Sequence, residues 1–339
     1  MKAVALKAYL PISNPESLLD VSLDKPTPTG HDLLIAIDAI SVNPVDTKVR
    51  KPKDKVEENY RVLGWDAVGR VVATGSDVTL FKTGDQVYYA GDISRAGSNS
   101  EFQLVDERIV GHKPKSLSNA QAAAIPLTAI TAWEGLFDRL RIPQNKNATA
   151  KTLLIIGGAG GVGSIAIQLA KTLTNVKIIA TASRPESVEW CKSLGADLVI
   201  DHSKSFTDQL KAHGINGVDY IFCLNNTDQH WASIADAIKP QGHICSIVEL
   251  SGAVDLNLLK NKSVSFSWEL MFTRSLFTTD DIIEQHKLLN RVAELIDAGK
   301  LTTTVTEVFT PINAANLRKA HEKIETGKTI GKIVLENWA

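Results

Sequence analysis

The chain has 339 residues, 44% hydrophobic and 22% charged, the proportions of an ordinary globular protein at a length that favours two domains over one. Its formal net charge is −1, so no basic surplus exists to neutralise a phosphate backbone, which argues against a nucleic-acid partner. No apolar run approaches the ~18 residues of a membrane-spanning helix.

The chain opens on an alternating, strand-like run, M-K-A-V-A-L-K-A-Y, without the apolar core or cleavage signal of a leader peptide. Short β-prone runs at 1–9, 33–42, 67–74, 86–89 and 102–105 predict strands, separated by turn clusters such as P-T-P-T-G at 26–30 and K-T-G-D at 82–85. Lys51, Lys53 and Lys55 are interrupted by Asp54, Glu57 and Glu58 and read as a solvated loop. Residues 118–140 are Ala-rich and predict helix, broken at Pro126. From Lys151 strand and helix alternate, with strands at 152–156, 176–181, 197–200, 219–224, 243–248 and 263–268 and helices through Lys171 and over 185–194. That alternation predicts βαβ units and a parallel sheet with right-handed crossovers. After Trp268 it stops. An amphipathic helix over 279–298, a helix near 313–326 and a strand at 331–335 follow, and this tail is expected to return to the N-terminal domain. The three cysteines, Cys191, Cys223 and Cys245, are too few and too scattered for a disulfide framework and suit a reducing cytoplasm.

The most informative segment is I-I-G-G-A-G-G-V-G-S, residues 155–164. It follows an apolar strand and opens a helix, the context in which G-x-G-x-x-G signifies dinucleotide binding. Glycines there permit a tight turn, close approach of backbone N–H groups to a pyrophosphate, and close packing of helix on strand. The helix N-terminus adds unpaired donors and partial positive charge, which makes Gly160, Gly161, Val162 and Gly163 the expected contacts. An NAD-binding sheet usually ends its second strand in Asp or Glu, which accepts from the ribose 2′-OH. Here that place reads Ser183–Arg184, a hydroxyl and a guanidinium suited to a 2′-phosphate, so NADPH is the expected cofactor. Ser183 could also cap the following helix, and the two roles are compatible.

The stretches S-V-N-P-V-D-T-K-V-R (41–50), L-G-W-D-A-V-G (63–69), V-Y-Y-A-G (87–91), A-A-A-I-P-L-T-A-I-T-A-W (122–133), the glycine turn and T-I-G-K-I-V-L (329–335) resemble the medium-chain dehydrogenase/reductase superfamily over essentially the whole chain. Within it the similarity is to the zinc-free, ζ-crystallin-like quinone oxidoreductases, and more narrowly to the subgroup labelled zinc-type alcohol dehydrogenase-like. The resemblance implies an α/β architecture. A discontinuous, β-rich GroES-like catalytic domain would cover 1–127 and 269–339, and a doubly wound parallel-sheet (Rossmann) dinucleotide-binding domain 128–268. It implies Asn43 and Asp46 at the nicotinamide end, with Lys48 where quinone reductases often carry a Tyr; Lys48, Tyr60, Trp65 and Tyr88 are candidates to line the pocket or donate to the acceptor. For the cofactor it implies Thr128 near the nicotinamide, Asn225 at a strand end, and Val248 and Glu249 approaching the carboxamide through their backbone. His202 would stand by the adenosine phosphate and Lys332 would reach a phosphate.

The zinc in that label fails a chemical test. Zinc alcohol dehydrogenases take Cys, His and Cys or Asp as catalytic ligands, and an open catalytic site needs three. Here the first-ligand region reads Ser41–Val42–Asn43, Trp65–Asp66 stand where a His-Glu pair would lie, and all three cysteines fall in the other domain. No metal is expected. Without a Lewis acid, alcohol oxidation loses its usual means of stabilising an alkoxide. Reduction of an electrophilic quinone or α,β-unsaturated carbonyl remains feasible, given donors at the developing oxyanion. The expected activity is a zinc-independent, NADPH-dependent reductase of such small molecules. The alternatives are an enoyl-thioester reductase of the same superfamily, which would need an acid such as Tyr60, and a non-catalytic NADPH-binding protein. The strand at 263–268, last in the sheet series, leads to the expectation of a homodimer through its edge.

Overall fold

Apolar runs punctuated by Gly and Pro make the N-terminal part of the chain a set of strands. They are β1 (Lys2–Tyr9), β2 (Leu19–Ser22), β3 (Asp32–Val42), β4 (Lys53–Val62), β5 (Ala67–Thr74), β6 (Gln86–Tyr89), β7 (Phe102–Asp106) and β8 (Val110–His112), with α1 (Pro44–Arg50) between β3 and β4. The computed structural model describes all 339 residues. The stretch read as a solvated loop is β4, antiparallel to β1 with Val62 opposite Ala5. Its charges are tolerated because β4 is an outer member of the three-stranded sheet β2-β1-β4. Lys53, Asp54, Lys55 and Glu58 are exposed there, and charge on an edge discourages pairing with another chain. The Ala-rich stretch divides at the expected proline into α2 (Asn119–Ala123) and α3 (Pro126–Trp133), and α3 runs on into a π-helical turn over Glu134–Arg139.

Residues Thr131–Met271 make one compact unit. Its strands β9 (Thr152–Ile156), β10 (Lys177–Thr181), β11 (Leu198–Ile200), β12 (Val218–Cys223), β13 (Ile238–Ser246) and β14 (Ser265–Trp268) alternate with α4 (Gly161–Leu173), α5 (Pro185–Ser193), α6 (Phe206–Ala212), α7 (Thr227–Ala237) and α8 (Asn257–Lys260). Every pairing is parallel and the order is β11-β10-β9-β12-β13-β14. This is the doubly wound arrangement, whose strand order reverses between β9 and β12. Helices cover such a sheet on both faces, so its strands read as continuous apolar runs; Leu153 to Ile156 are all buried. The three cysteines lie in this unit, each buried and free.

The tail, α9 (Thr273–Phe277), α10 (Ile283–Asp297), β15 (Val305–Phe309), α11 (Ala314–Glu325) and β16 (Lys332–Glu336), belongs with Met1–Ile130 in the second compact unit. The reason is β3. One edge of this long strand pairs β5, and its other edge takes β7 along its first half and β16 along its second, with Ile333 opposite Val42. The sheet order is β15-β16-β3-β5-β6-β8. α10 closes over β8, where a Cβ at Gly111 would lie 2.5 Å from that of Leu289. α1 is tied to α11 by Arg50, 1% exposed, which donates to His321 Nδ1 at 3.3 Å, to the Leu10 carbonyl at 2.6 Å and to Glu325. Burial and that guanidinium push the His321 imidazole down to about 3, so it is neutral in the fold. No helix is long and apolar enough to cross a membrane.

Candidate functional site

In the parallel-sheet unit the chain leaves β9 through Gly157, at φ +87°, a backbone that L side chains rarely adopt. A Cβ on Gly163 would lie 2.6 Å from the carbonyl oxygens of both Gly157 and Gly158, and one on Gly158 would lie 2.8 Å from the Cβ of Ala180. These glycines let α4 sit directly on the turn. Gly160 is the N-cap of α4 and supplies no side-chain acceptor, so the first-turn N–H groups of Gly161, Val162 and Gly163 lack a capping side chain. Thr181, at the end of β10, braces the turn: its hydroxyl accepts from Gly157 N–H at 3.0 Å and its carbonyl from Gly158 N–H at 3.1 Å. Sequence reasoning did not single out Thr181, because a strand-terminal threonine carries no motif.

The remaining expected cofactor residues of this unit follow the C-terminal ends of neighbouring strands, the edge where ligands collect on a doubly wound sheet. Ser183 and Arg184 follow β10, Ser183 exposed and Arg184 with its guanidinium 3.2 Å from Glu186. Arg184, not Ser183, is the N-cap of α5, with no side-chain cap. His202 follows β11, its ring 6.3 Å from that of His230. Asn225 follows β12, its Cβ within 3.5 Å of where a Gly157 side chain would begin. Val248 follows β13, and its carbonyl accepts from the Thr227 hydroxyl at 3.1 Å; Glu249 is exposed beside it.

In the β-rich unit a buried polar cluster forms around Asp66, fully buried ahead of β5. Asp66 Oδ1 accepts from Leu127 N–H at 2.8 Å, in the first turn of α3. Its Oδ2 accepts from Ser41 Oγ at 2.9 Å, Asn43 Nδ2 at 2.8 Å and Lys332 Nζ at 3.1 Å. Lys332 also donates to the Val42 carbonyl at 3.0 Å and to Asn43 Oδ1. Asp46, in the first turn of α1, accepts from Asn43 N–H at 2.6 Å. Burial pushes the Asp46 carboxyl up to about 7, against the lowering effect of the Asn43 N–H and of Lys332. The structure thus brings Asn43, Asp46 and Lys332 together and adds Asp66 and Ser41.

Other expected residues stand apart from this cluster. Tyr60 is exposed on β4 with Lys7 Nζ 5.6 Å from its ring, because the segment forms an edge strand. Lys48 is exposed on α1. Tyr88 is fully buried on β6, its hydroxyl donating to the Leu289 carbonyl at 2.6 Å, and Trp65 packs edge-on against Phe272; both are core residues. Thr128 is buried on α3, its hydroxyl turned back to Ala124 and Ile125 carbonyls. Lys332, expected at a phosphate, directs its ammonium donors to the Val42 carbonyl, Asn43 Oδ1 and Asp66 Oδ2 within the cluster.

Two further carboxyls, absent from the sequence reading, meet inside the parallel-sheet unit. Glu134 opens the π-helical turn and Glu269 follows β14; both are buried. Arg139 Nε lies 2.9 Å from Glu269 Oε2. Burial and then the facing Glu134 push the Glu269 carboxyl well above the usual carboxylate range, so that Glu269 favours its protonated form.

A doubly wound sheet with its glycine turn, carried in one chain with a GroES-like β unit, defines the medium-chain dehydrogenase/reductase superfamily; the chain belongs to it and is an oxidoreductase. The alcohol dehydrogenase GroES-like domain matches residues 29–126 and the zinc-binding dehydrogenase family matches residues 194–335. The chain is 44% identical to a zinc-type alcohol dehydrogenase-like protein of Staphylococcus epidermidis over 99% of both. It is 32% identical to 2-methylene-furan-3-one reductase of Solanum lycopersicum, over 94% of this chain and 74% of that one. A crystal structure from Rhizobium etli CFN 42, provisionally described as a zinc-dependent alcohol dehydrogenase, is similar with a TM-score of 0.96 and 53% identity, covering 100% of this chain and 98% of that one. The quinone oxidoreductase of Coxiella burnetii gives a TM-score of 0.81 at 28% identity, covering 99% of both chains.

Zinc is implied by several of these names, and the residues present do not fit it. No group of three or more His, Cys, Asp or Glu side chains is placed to hold a metal ion. Asp66, the acid at the expected ligand region, has both oxygens occupied by donors, one of them an ammonium that would repel a cation.

Proposed function

We propose that the protein is a zinc-independent, NADPH-dependent reductase of quinones or α,β-unsaturated carbonyl compounds. The observation that carries this reading is the end of β10, where Ser183 and Arg184 replace the carboxylate that would accept from a free 2′-hydroxyl. Bound NADPH supplies a hydride. The first-turn N–H groups of α4 would hold the pyrophosphate and Arg184 the 2′-phosphate, with Asn225, His202 and the Val248 backbone along the rest of the strand-end edge. Asn43 and Asp46 serve the acceptor end, where an amide donor favours charge developing on oxygen. Tyr60, the acid named for thioester reduction, is exposed on β4 and apart from the Asp66 cluster, which favours the quinone or enone reading over the thioester one. Support for the acceptor class comes from the similar proteins, one named for quinones and one for a methylene furanone.

The test is NADPH consumption against quinones, enones and aldehydes, with and without a zinc chelator. Turnover of quinones or enones that survives chelation is expected, and Arg184→Ala should raise the KM for NADPH at least about tenfold, as for a lost charged contact, while leaving that for NADH nearly unchanged. Equal effects on both cofactors would defeat the NADPH assignment. Tight NADPH binding without any turnover would point instead to a non-catalytic role.

The assembly proposed is a homodimer. β14 is the last strand of its sheet, only four residues long, and Trp268 on it is 48% exposed; an unpaired edge with an exposed aromatic is suited to the same strand of a second copy. Sedimentation is expected to show a dimer, and a monomer at micromolar concentration would refute the proposal.

A further inference from the structure

Lys332 is the unusual member of the Asp66 cluster. Its side chain is 4% exposed, and a buried ammonium persists only where its charge is matched and its donors satisfied. Here Asp66 supplies the charge, while the Val42 carbonyl and the Asn43 amide oxygen take the remaining donors. The consequence falls on Asn43. Its amide oxygen faces an ammonium and its amide nitrogen faces a carboxylate, so a flipped amide would set donor against donor and acceptor against acceptor. The side chain is held in a single orientation, with one of its two amide N–H groups left for another partner. The backbone N–H of Asn43 holds Asp46 at 2.6 Å, so the same pair also fixes where that carboxyl stands.

We propose that Lys332 and Asp66 are a positioning pair for the acceptor end of the site, acting through Asn43 and Asp46. The proposal rests on the reading above that Asn43 and Asp46 serve the acceptor. The charged groups that act on Asp46 are Lys332, which favours its ionised form, and Asp66, which disfavours it. The pair therefore has two separable effects, one on geometry and one on proton affinity.

The test uses the full-length protein as Asp66→Asn, Lys332→Met and the charge-balanced double variant, which protects the experiment if Lys332→Met alone fails to fold. The Asp46 carboxyl, followed by carbon-13 NMR, should titrate lower in Asp66→Asn and higher in Lys332→Met. In the double variant kcat should fall at least about tenfold, with the KM for NADPH changed less than about threefold. A folded double variant with wild-type kcat would overturn the proposal, as would an Asp46 titration that moves in neither single variant. A rise confined to the KM for NADPH would also overturn it, and would restore Lys332 to a phosphate. Asn43→Ala keeps the underlying reading distinguishable: unchanged kcat there, with the Asp46 shifts still present, removes the acceptor-end assignment and not the coupling within the cluster.

Discussion

Glu134→Gln is expected to flatten the loss of stability that the wild-type protein suffers as pH rises from about 5 to about 9. An unfolded glutamate releases its proton near 4.5, whereas Glu269 beside Glu134 keeps one until about 9. Below the lower value both states are protonated, and above the upper value both are ionised, so neither range has a slope. Between them the fold holds a proton that the unfolded chain gives up, and each pH unit costs about 1.4 kcal/mol of stability. Glutamine at 134 removes the facing charge, and Glu269 is left with Arg139 as its ion partner. Melting temperatures across this range should therefore fall less in the variant, with a gain of roughly 5 °C at pH 9. Parallel curves for the two proteins would show that Glu134 does not raise the proton affinity of Glu269.

Gly163→Ala is expected to weaken NADPH binding about a hundredfold, about 2.7 kcal/mol, and to destabilise the protein. The added Cβ would stand 2.6 Å from two backbone carbonyl oxygens. Backbone cannot rotate away as a side-chain tip can, so α4 must lift off the turn, at about 1–3 kcal/mol for overpacking. Gly160→Ala is the contrasting case. Its Cβ has only the Gly157 oxygen nearby, at 3.6 Å, so the apo protein should melt normally while a ligand that approaches the backbone closely meets a methyl group. Calorimetric titration of both variants separates the glycine needed for packing from the one needed for the cofactor. Wild-type affinity in Gly163→Ala would contradict the turn geometry described here.

Much of the fold was legible because period and punctuation are local properties. The βαβ alternation, the break at Pro126 and the glycine turn can each be read from a window of a dozen residues. β4 was not legible, because an edge strand with charges on its exposed face lacks the apolar alternation by which a half-buried strand is recognised. α7 was missed for a related reason: its buried side includes Thr227, His230 and Ala235 beside Trp231 and Ile234, a stripe too polar to stand out. The site was legible only in part. The residues proposed for the cofactor follow strand ends, and those places in the sheet could be read in advance. Lys332 could not, since its direction depends on the pairing of β16 with β3, a register between segments nearly 300 residues apart. The meeting of Glu134 with Glu269 has the same origin, and no local pattern announces it.

The burial of the cysteines has a bearing on the acceptors proposed for this protein. Quinones and enones are also electrophiles that add to thiolates, so any reductase handling them is exposed to its own substrates. Cys191, Cys223 and Cys245 are each 0% exposed. Burial pushes the first two thiols up to about 11 and the third higher still. The nucleophilic form is thus scarce as well as enclosed. The apolar packing that closes the parallel sheet also shields all three thiols from compounds that would alkylate an ordinary surface cysteine.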